Sequence, residues 1–310
     1  VKQAVDILAA KSRSFALAGR LLGDLERDRA AIVYAWCRRA DDAIDLAAPH
    51  QRAPALDRLH AELDAVTRGE PTGDAVLDAF ADVVRDCRIP RAYPAELLAG
   101  MAMDAGGHAY RTMDDLLLYA YRVAGTVGLM MCHVLGLRDD RALVRGVHLG
   151  IAMQLTNVCR DVLEDWQLGR LYLPDDRLAA AGARDLAAQL GGPFPQAARS
   201  AVAAVTRQLL AEADGYYRSA DRGISDLPWR AAVAIRTARL VYAAIGARIA
   251  AQRHDPLAGR AVVPTWRKVA LAARAGVIGV AEIPRRWPVS GTHIPTREVS
   301  FARDVVGIRG

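Results

Sequence analysis

Two segments place acidic side chains one helical turn apart. In the first, Tyr34, Arg38, Asp41 and Asp45 follow at intervals of four, three and four residues; in the second, Gln154, Asn157, Asp161 and Asp165 follow at three, four and four. On helices, each set lies along one face. The neighbours are apolar (Ile32, Ala35, Trp36 and Ile44 in one segment, residues 147–153 before the other), so both helices read as buried. A buried carboxylate without a partner is costly, and like charges one turn apart repel. A multivalent cation between facing stripes is the natural remedy. Ligand sets made only of oxygen, with no His or Cys, favour Mg²⁺ over zinc. Magnesium is usually held by a few carboxylates together with phosphate oxygens of a substrate, so the pairing points to a diphosphate ester. A lone Asp-x-x-x-Asp is ordinarily a solvated helix face. Two of them, each with aligned amide or tyrosine groups and each preceded by an arginine (Arg38, Arg160), are harder to explain that way. Those arginines are either structural ion-pair partners or bidentate donors to a leaving diphosphate.

Two further segments carry weaker signals. Ser12-Arg-Ser-Phe15, next to Lys11, offers hydroxyls and charge to phosphate oxygens, although serines at a helix start usually just cap it. Val123-Ala-Gly-Thr-Val-Gly128 sets two glycines inside a helical stretch, at about 1 kcal/mol each relative to alanine. Something must approach that backbone closely, either a second helix or a long apolar substrate.

The elements that must position these residues are helices. Alanine and leucine are frequent and β-branched runs are rare, which favours helix over strand. Periodicity predicts helices over residues 5–22, 27–45, 54–67, 74–87, 94–107, 113–137, 139–165, 184–190, 195–220, 229–251 and 265–275. The breaks at residues 47–49, 68–73 and 191–193 are short surface loops rich in Gly and Pro. None separates domains, so an all-α, single-domain reading is the simplest: residues 1–275 as one helical domain and 276–310 as a basic, loosely packed tail. The 310 residues suffice for a sizeable core, and 52% hydrophobic with 25% charged residues argues against disorder. No dinucleotide-binding Gly-x-Gly-x-x-Gly turn, P-loop or internal repeat is visible.

The net charge of +6 is concentrated in the last fifty or so residues, where nine Arg/Lys from Arg260 onward face three Asp/Glu. Such a tail suits an anionic membrane surface or a diphosphate, or is simply solvated. No nucleic-acid-binding pattern accompanies it, and nucleic acid is not expected as a partner. Cys37, Cys87, Cys132 and Cys159 lack Cys-x-x-Cys spacing, which speaks against a disulfide framework or a zinc site. Residues 116–137 are apolar enough to resemble a membrane span, but Arg122 and His133 interrupt them and a buried core helix is expected. No signal peptide is visible, the chain starts at Val1, and a cytoplasmic location is expected.

Taken together, these segments resemble the squalene/phytoene synthase family, and its phytoene synthase branch most of all. The resemblance rests on Ser12-Arg-Ser-Phe15, Tyr34-Ala-Trp-Cys-Arg38, Asp41-Asp-Ala-Ile-Asp45, residues 119–128, Gln154-Leu-Thr-Asn-Val-Cys-Arg-Asp161 through Asp165, and Gly169-Arg-Leu-Tyr-Leu-Pro174, in the family's order and extending to about Lys268. It implies an isoprenoid-synthase helical bundle with a central cavity. It also implies head-to-head condensation of two geranylgeranyl diphosphates, through prephytoene diphosphate, to phytoene, with no NADPH. By the same resemblance Asp41, Asp45, Asn157, Asp161 and Asp165 would hold Mg²⁺, with Mn²⁺ as a substitute. Arg38, Arg160 and Arg260, with Ser12, Ser14 and Tyr242, would bind diphosphate. Tyr34, Tyr119, Gln154 and Phe15 would line the cation's path, Phe15 through its π face, with Val123 and Gly128 on the substrate wall. Farnesyl diphosphate as substrate, giving dehydrosqualene or a squalene-type product, is the alternative within the class; a non-catalytic assembly protein on the same fold is the alternative outside it. Because the product is so apolar, peripheral contact with the inner membrane is expected, with Arg285, Arg286 and Trp287 as interfacial residues. After Arg274 the chain shows no family pattern.

Overall fold

A computed structural model describes residues 2–11, 13–137, 139–282, 299 and 301. Among them the chain forms fourteen α-helices and no strand: α1 (Lys2–Lys11), α2 (Arg13–Gly19), α3 (Asp24–Asp45), α4 (Arg52–Arg68), α5 (Ala75–Asp86), α6 (Ala92–Ala105), α7 (Met113–Ala120), α8 (Thr126–Val134), α9 (Leu143–Arg160), α10 (Val162–Gln167), α11 (Asp175–Ala180), α12 (Arg199–Asp221), α13 (Trp229–Ala251) and α14 (Thr265–Glu282). Local chemistry sets several ends. The Asp74 carboxylate accepts from the backbone N–H groups of Val76 and Leu77 to start α5, and Thr112 with Asp115 forms a capping box before α7. Gly69, at φ 67°, stops α4 in the left-handed region that glycine enters without a Cβ penalty.

Helix α9 runs through the middle, packed against α7, α8, α12 and α13, while α3 packs against α1, α4, α5, α6 and α8. Since α8 touches both α3, which carries Asp41 and Asp45, and α9, which Asp161 follows, these two helices are held on either side of the space that α8, α6 and α13 enclose. Behind α3 the core is tight: Trp36 stacks on Phe80 with ring centroids 4.4 Å apart. Helices approach to backbone contact where α8 and the turn before it cross α9. A Cβ on Gly128 would stand 2.3 Å from the Gly146 carbonyl oxygen, and one on Gly150 would stand 2.2 Å from that of Ala124. Backbone contact between helices is thus what the glycines of the 123–128 stretch permit.

Several expected elements differ in detail. The helix expected over 5–22 is two helices, α1 and α2. The one expected over 113–137 is α7 and α8 joined by a π-helical turn, Tyr121–Gly125. A π turn holds more residues than an α turn, and this one lets Tyr119, Val123 and Val127, spaced four apart, all line the cavity. The helix expected over 139–165 bends at Asp161, yet Asp161 N–H still donates to the Asn157 carbonyl (2.9 Å) and Asp165 N–H to the Asp161 carbonyl (2.8 Å). The acidic stripe therefore survives the bend. Residues 184–190 form only a short 3₁₀ turn, α11 was not expected, and α14 continues past 275 to Glu282. Residues 113–134 are long and apolar enough to cross a bilayer, but Leu116, Ala120, Leu129 and Met130 are wholly buried within the protein. Arg285, Arg286 and Trp287 lie outside the described residues.

Gly128→Ala and Gly150→Ala should each cost about 1–3 kcal/mol or more, because a methyl group there meets backbone that cannot yield. Gly276→Ala in α14, with nothing within 4 Å of its Cβ position, should instead stabilise by up to about 1 kcal/mol. Urea unfolding midpoints check both; wild-type stability in either crossing variant would contradict the packing assignment.

Candidate active site

The cavity has a volume of about 360 Å³ and a mostly apolar wall. One end is polar: Arg38 and Asp41 from α3, and Gln154 and Asn157 from α9, reach it. Phe15 from α2, Tyr34 from α3 and Tyr242 from α13 form an aromatic cluster beside that end, with Phe15 centred 6.2 Å from Tyr34 and 5.6 Å from Tyr242. Tyr119, Val123 and Gly128 line the α7–α8 side. Ser12 lies outside the described residues, as does the side chain of Ser14.

Each wall carries acid and arginine together. On α3, Arg38 donates to Asp41 at 2.6 Å and also to Asp42. On the other wall Arg160 pairs with Asp161, its Nε 2.8 Å from Oδ1, and Arg260 reaches across from the segment after α13 to Asp161 and Glu164, each at 3.2 Å. Asn157 donates its amide to Gln154 Oε1 at 3.3 Å, while its Oδ1 is buried with no hydrogen-bond partner.

The two walls meet through residues that the motif spacing did not single out. Arg170, in the loop after α10, pairs with Asp45 at 2.7 Å and donates its own backbone N–H to the Asp165 carbonyl at 2.8 Å. Asp104, at the end of α6, accepts from the Tyr119 hydroxyl (2.9 Å) and the Tyr172 hydroxyl (2.8 Å). Its charge is felt by Asp41 and by Asp165, which puts both stripes around one point. A signal for Asp104 was present: it follows Leu97 and Met101 at spacings of four and three, a lone acid on an apolar stripe. Arg170 and Tyr172 stood inside the Gly169–Pro174 segment without a role.

Crowding of acids shows in their proton affinity. Burial, then the neighbouring Asp45, pushes Asp41 up to about 6, with Arg38 opposing. Burial, then Asp161, pushes Asp165 up to about 7, with Arg170 opposing. Asp104 is raised by burial against the pull of Tyr172. Arginine alone therefore does not neutralise the site. The donors present, carboxylates and one orphaned amide oxygen, are of the type that suits Mg²⁺. Among the described residues no three His, Cys, Asp or Glu side chains form a ready-made metal cage.

An all-helical protein whose apolar cavity opens onto facing aspartate–arginine walls belongs to the class of enzymes that handle prenyl diphosphates. The chain is a member of the squalene/phytoene synthase family, whose profile matches residues 8–267. It is 40% identical to the 15-cis-phytoene synthase of Paracoccus sp. (strain N81106 / MBIC 01143), over 93% of this chain and 91% of that one. It is 39% identical to the phytoene synthase of Rhodobacter capsulatus, over 89% and 80%. Among solved structures it is similar to a dehydrosqualene synthase in complex with ligand, at TM-score 0.81 and 28% identity over 90% of this chain and 96% of that one.

Asp41 and Asp165 keep protons in the folded protein that the unfolded chain releases from about pH 4. Between there and about pH 6 to 7 the native state binds more protons, so the stability of the metal-free protein should fall as pH rises through that window. Asp165→Asn removes its share, so a plot of urea midpoint against pH should become shallower. An unchanged slope would contradict the charge crowding.

Proposed function

We propose that the chain is a phytoene synthase, joining two geranylgeranyl diphosphates head to head and releasing both diphosphates. What carries this reading is one continuous apolar cavity that begins at Arg38, Asp41, Gln154 and Asn157, in a chain 35–40% identical to several bacterial proteins named phytoene synthase. Asp41, Asp45, Asn157, Asp161 and Asp165 are the groups that would hold Mg²⁺. Bound there, the ion supplies positive charge for the departing diphosphate.

The protein's own groups do the rest. Arg38, Arg160 and Arg260 now pair with carboxylates; with substrate bound they offer bidentate donors to the diphosphate oxygens, helped by Tyr242 and, in this reading, Ser12 and Ser14. When the first diphosphate leaves, its allylic cation is attacked by the double bond of the second molecule. Loss of a proton closes the cyclopropane of prephytoene diphosphate. This ester ionises in turn, rearranges, and loses a second proton to give phytoene. Phe15, Tyr34 and Tyr242 present π faces to the cation, and the apolar walls keep water from quenching it. Tyr119, held by Asp104, and Gln154 flank its path, with Val123 and Gly128 against the chain. Asp41→Ala and Asp161→Ala should each abolish diphosphate release while circular dichroism stays native; turnover in either variant would overturn the site.

A lipid surface is the second element of the reading. On α14, Trp266, Ala270, Ala273, Val277 and Val280 repeat at spacings of four, three, four and three on one solvent-facing side. Trp266 is 73% exposed and Val277 71%. Arg267 and Arg274, also exposed, flank the stripe, a pattern suited to lying in an anionic headgroup layer. Trp266→Glu with Val277→Glu should reduce co-sedimentation with phosphatidylglycerol vesicles several-fold and leave turnover of detergent-dispersed substrate unchanged. Undiminished vesicle binding would contradict it.

A further inference from the structure

The end of the cavity away from the aspartates is not wholly apolar. Arg145 lines it, twelve residues before Asn157 on α9, which sets it roughly 18 Å further along the helix axis. Among the described residues no carboxylate pairs with this guanidinium. It donates instead to Ser219 Oγ at 2.5 Å, and Arg222 donates to the same oxygen at 3.4 Å. With two arginines donating to it, Ser219 has one proton left, and His148 Nδ1 lies 2.7 Å away to accept it. His148 is wholly buried, and burial, then Arg145 and Arg222, hold its pKa down at about 4, so its ring is neutral and free to accept. Three polar residues on α9, α12 and the turn after α12 thus tie one arginine head down beside an apolar space.

The stem of Arg145 is held as firmly as its head. A Cβ on Gly223 would stand 2.5 Å from Arg145 Cβ and 2.8 Å from Cγ. Gly223 has φ −98°, a conformation open to any residue, so glycine is required there by the arginine stem and not by the backbone. Gly223 and Arg145 both line the cavity, alongside Ala142, Ala220 and Ile224. A flexible side chain is in this way turned into a wall of defined position, its Cβ and Cγ against Gly223 and its charge toward Ser219.

We infer that Arg145, clamped by Ser219 and seated on Gly223, is the floor that limits the length of the prenyl chain the cavity admits. The inference rests on the prenyl diphosphate reading above and adds to it the residue that selects among homologues. Truncating the stem opens the floor for a further isoprene unit; adding bulk at residue 223 pushes the stem inward and shortens the cavity.

The test is the ratio of kcat/KM for geranylgeranyl over geranylfarnesyl diphosphate, with products identified by mass. Arg145→Ala should lower this ratio roughly tenfold or more, the scale on which a pocket distinguishes apolar groups. Arg145→Met, which keeps the stem against Gly223 but loses the Ser219 clamp, should lie nearer the wild-type ratio than Arg145→Ala does. Gly223→Ala should move selectivity the other way, toward farnesyl diphosphate. A wild-type ratio in Arg145→Ala, or a Gly223→Ala variant with wild-type preference for geranylgeranyl over farnesyl diphosphate, would overturn the floor; so would Arg145→Met behaving like Arg145→Ala, since charge and not stem would then select. If the wild type accepts only farnesyl diphosphate, the proposed substrate fails separately. The floor is then judged one unit shorter, upheld if Arg145→Ala admits geranylgeranyl diphosphate and refuted if it does not.

Discussion

Mutual repulsion among half-buried carboxylates is the constraint on which the rest of this structure depends. Asp41, Asp104 and Asp165 come from three different helical elements, yet Asp104 raises the proton affinity of both Asp41 and Asp165, and Asp45 raises that of Asp41 and Asp104. Only a rigid frame holds such groups together against their charge. The frame consists of the glycine-mediated crossing of α8 over α9, the Arg170 bridge between Asp45 and the Asp165 backbone, and the two tyrosines on Asp104. This crowding makes the site receptive to cations, while the arginines beside the acids offer the positive charge that complements a diphosphate.

The cavity follows from the same frame. Because α3 and α9 are kept apart at their aspartate ends, the space between them is bounded by whatever α2, α6, α8 and α13 present, and those helices present apolar and aromatic groups. Charge is confined to one end and to the tied-down Arg145 at the other. A prenyl diphosphate has this same polarity, a highly charged head on a long hydrocarbon. The apolar interior also protects a carbocation from water while the aromatic faces of Phe15, Tyr34 and Tyr242 lower its energy.

Much of this was legible in the chain. The stripes at 34–45 and 154–165 could be placed on helices because polar residues at spacings of three and four stood among apolar ones; Tyr34, Arg38 and Asp41 of one and Gln154 and Asn157 of the other line the cavity, while Asp45, Asp161 and Asp165 lie beyond its lining. The helical class followed from composition. What was not legible depended on distant parts of the chain. Asp104 and Arg170 acquire their meaning only when α6 and the loop after α10 arrive beside the stripes, since the side-chain partners of both lie fifteen or more residues away. The π turn at 121–125 leaves the periodicity nearly unchanged, so an unbroken helix was expected there. The bend at Asp161 is hidden because its backbone hydrogen bonds continue through it. Nothing near Arg145 in the sequence marks it, since Ser219 and Gly223, which give it a place, lie more than seventy residues away.

The central claim is that the facing aspartate walls serve the head-to-head coupling of geranylgeranyl diphosphate. The most direct measurement is product identification after incubating the purified protein with geranylgeranyl diphosphate, with and without Mg²⁺. The account predicts phytoene and two diphosphates per phytoene formed when Mg²⁺ is present, and neither when it is chelated. Hydrocarbon formed equally well without a divalent ion, or none formed from geranylgeranyl diphosphate in its presence, would contradict it.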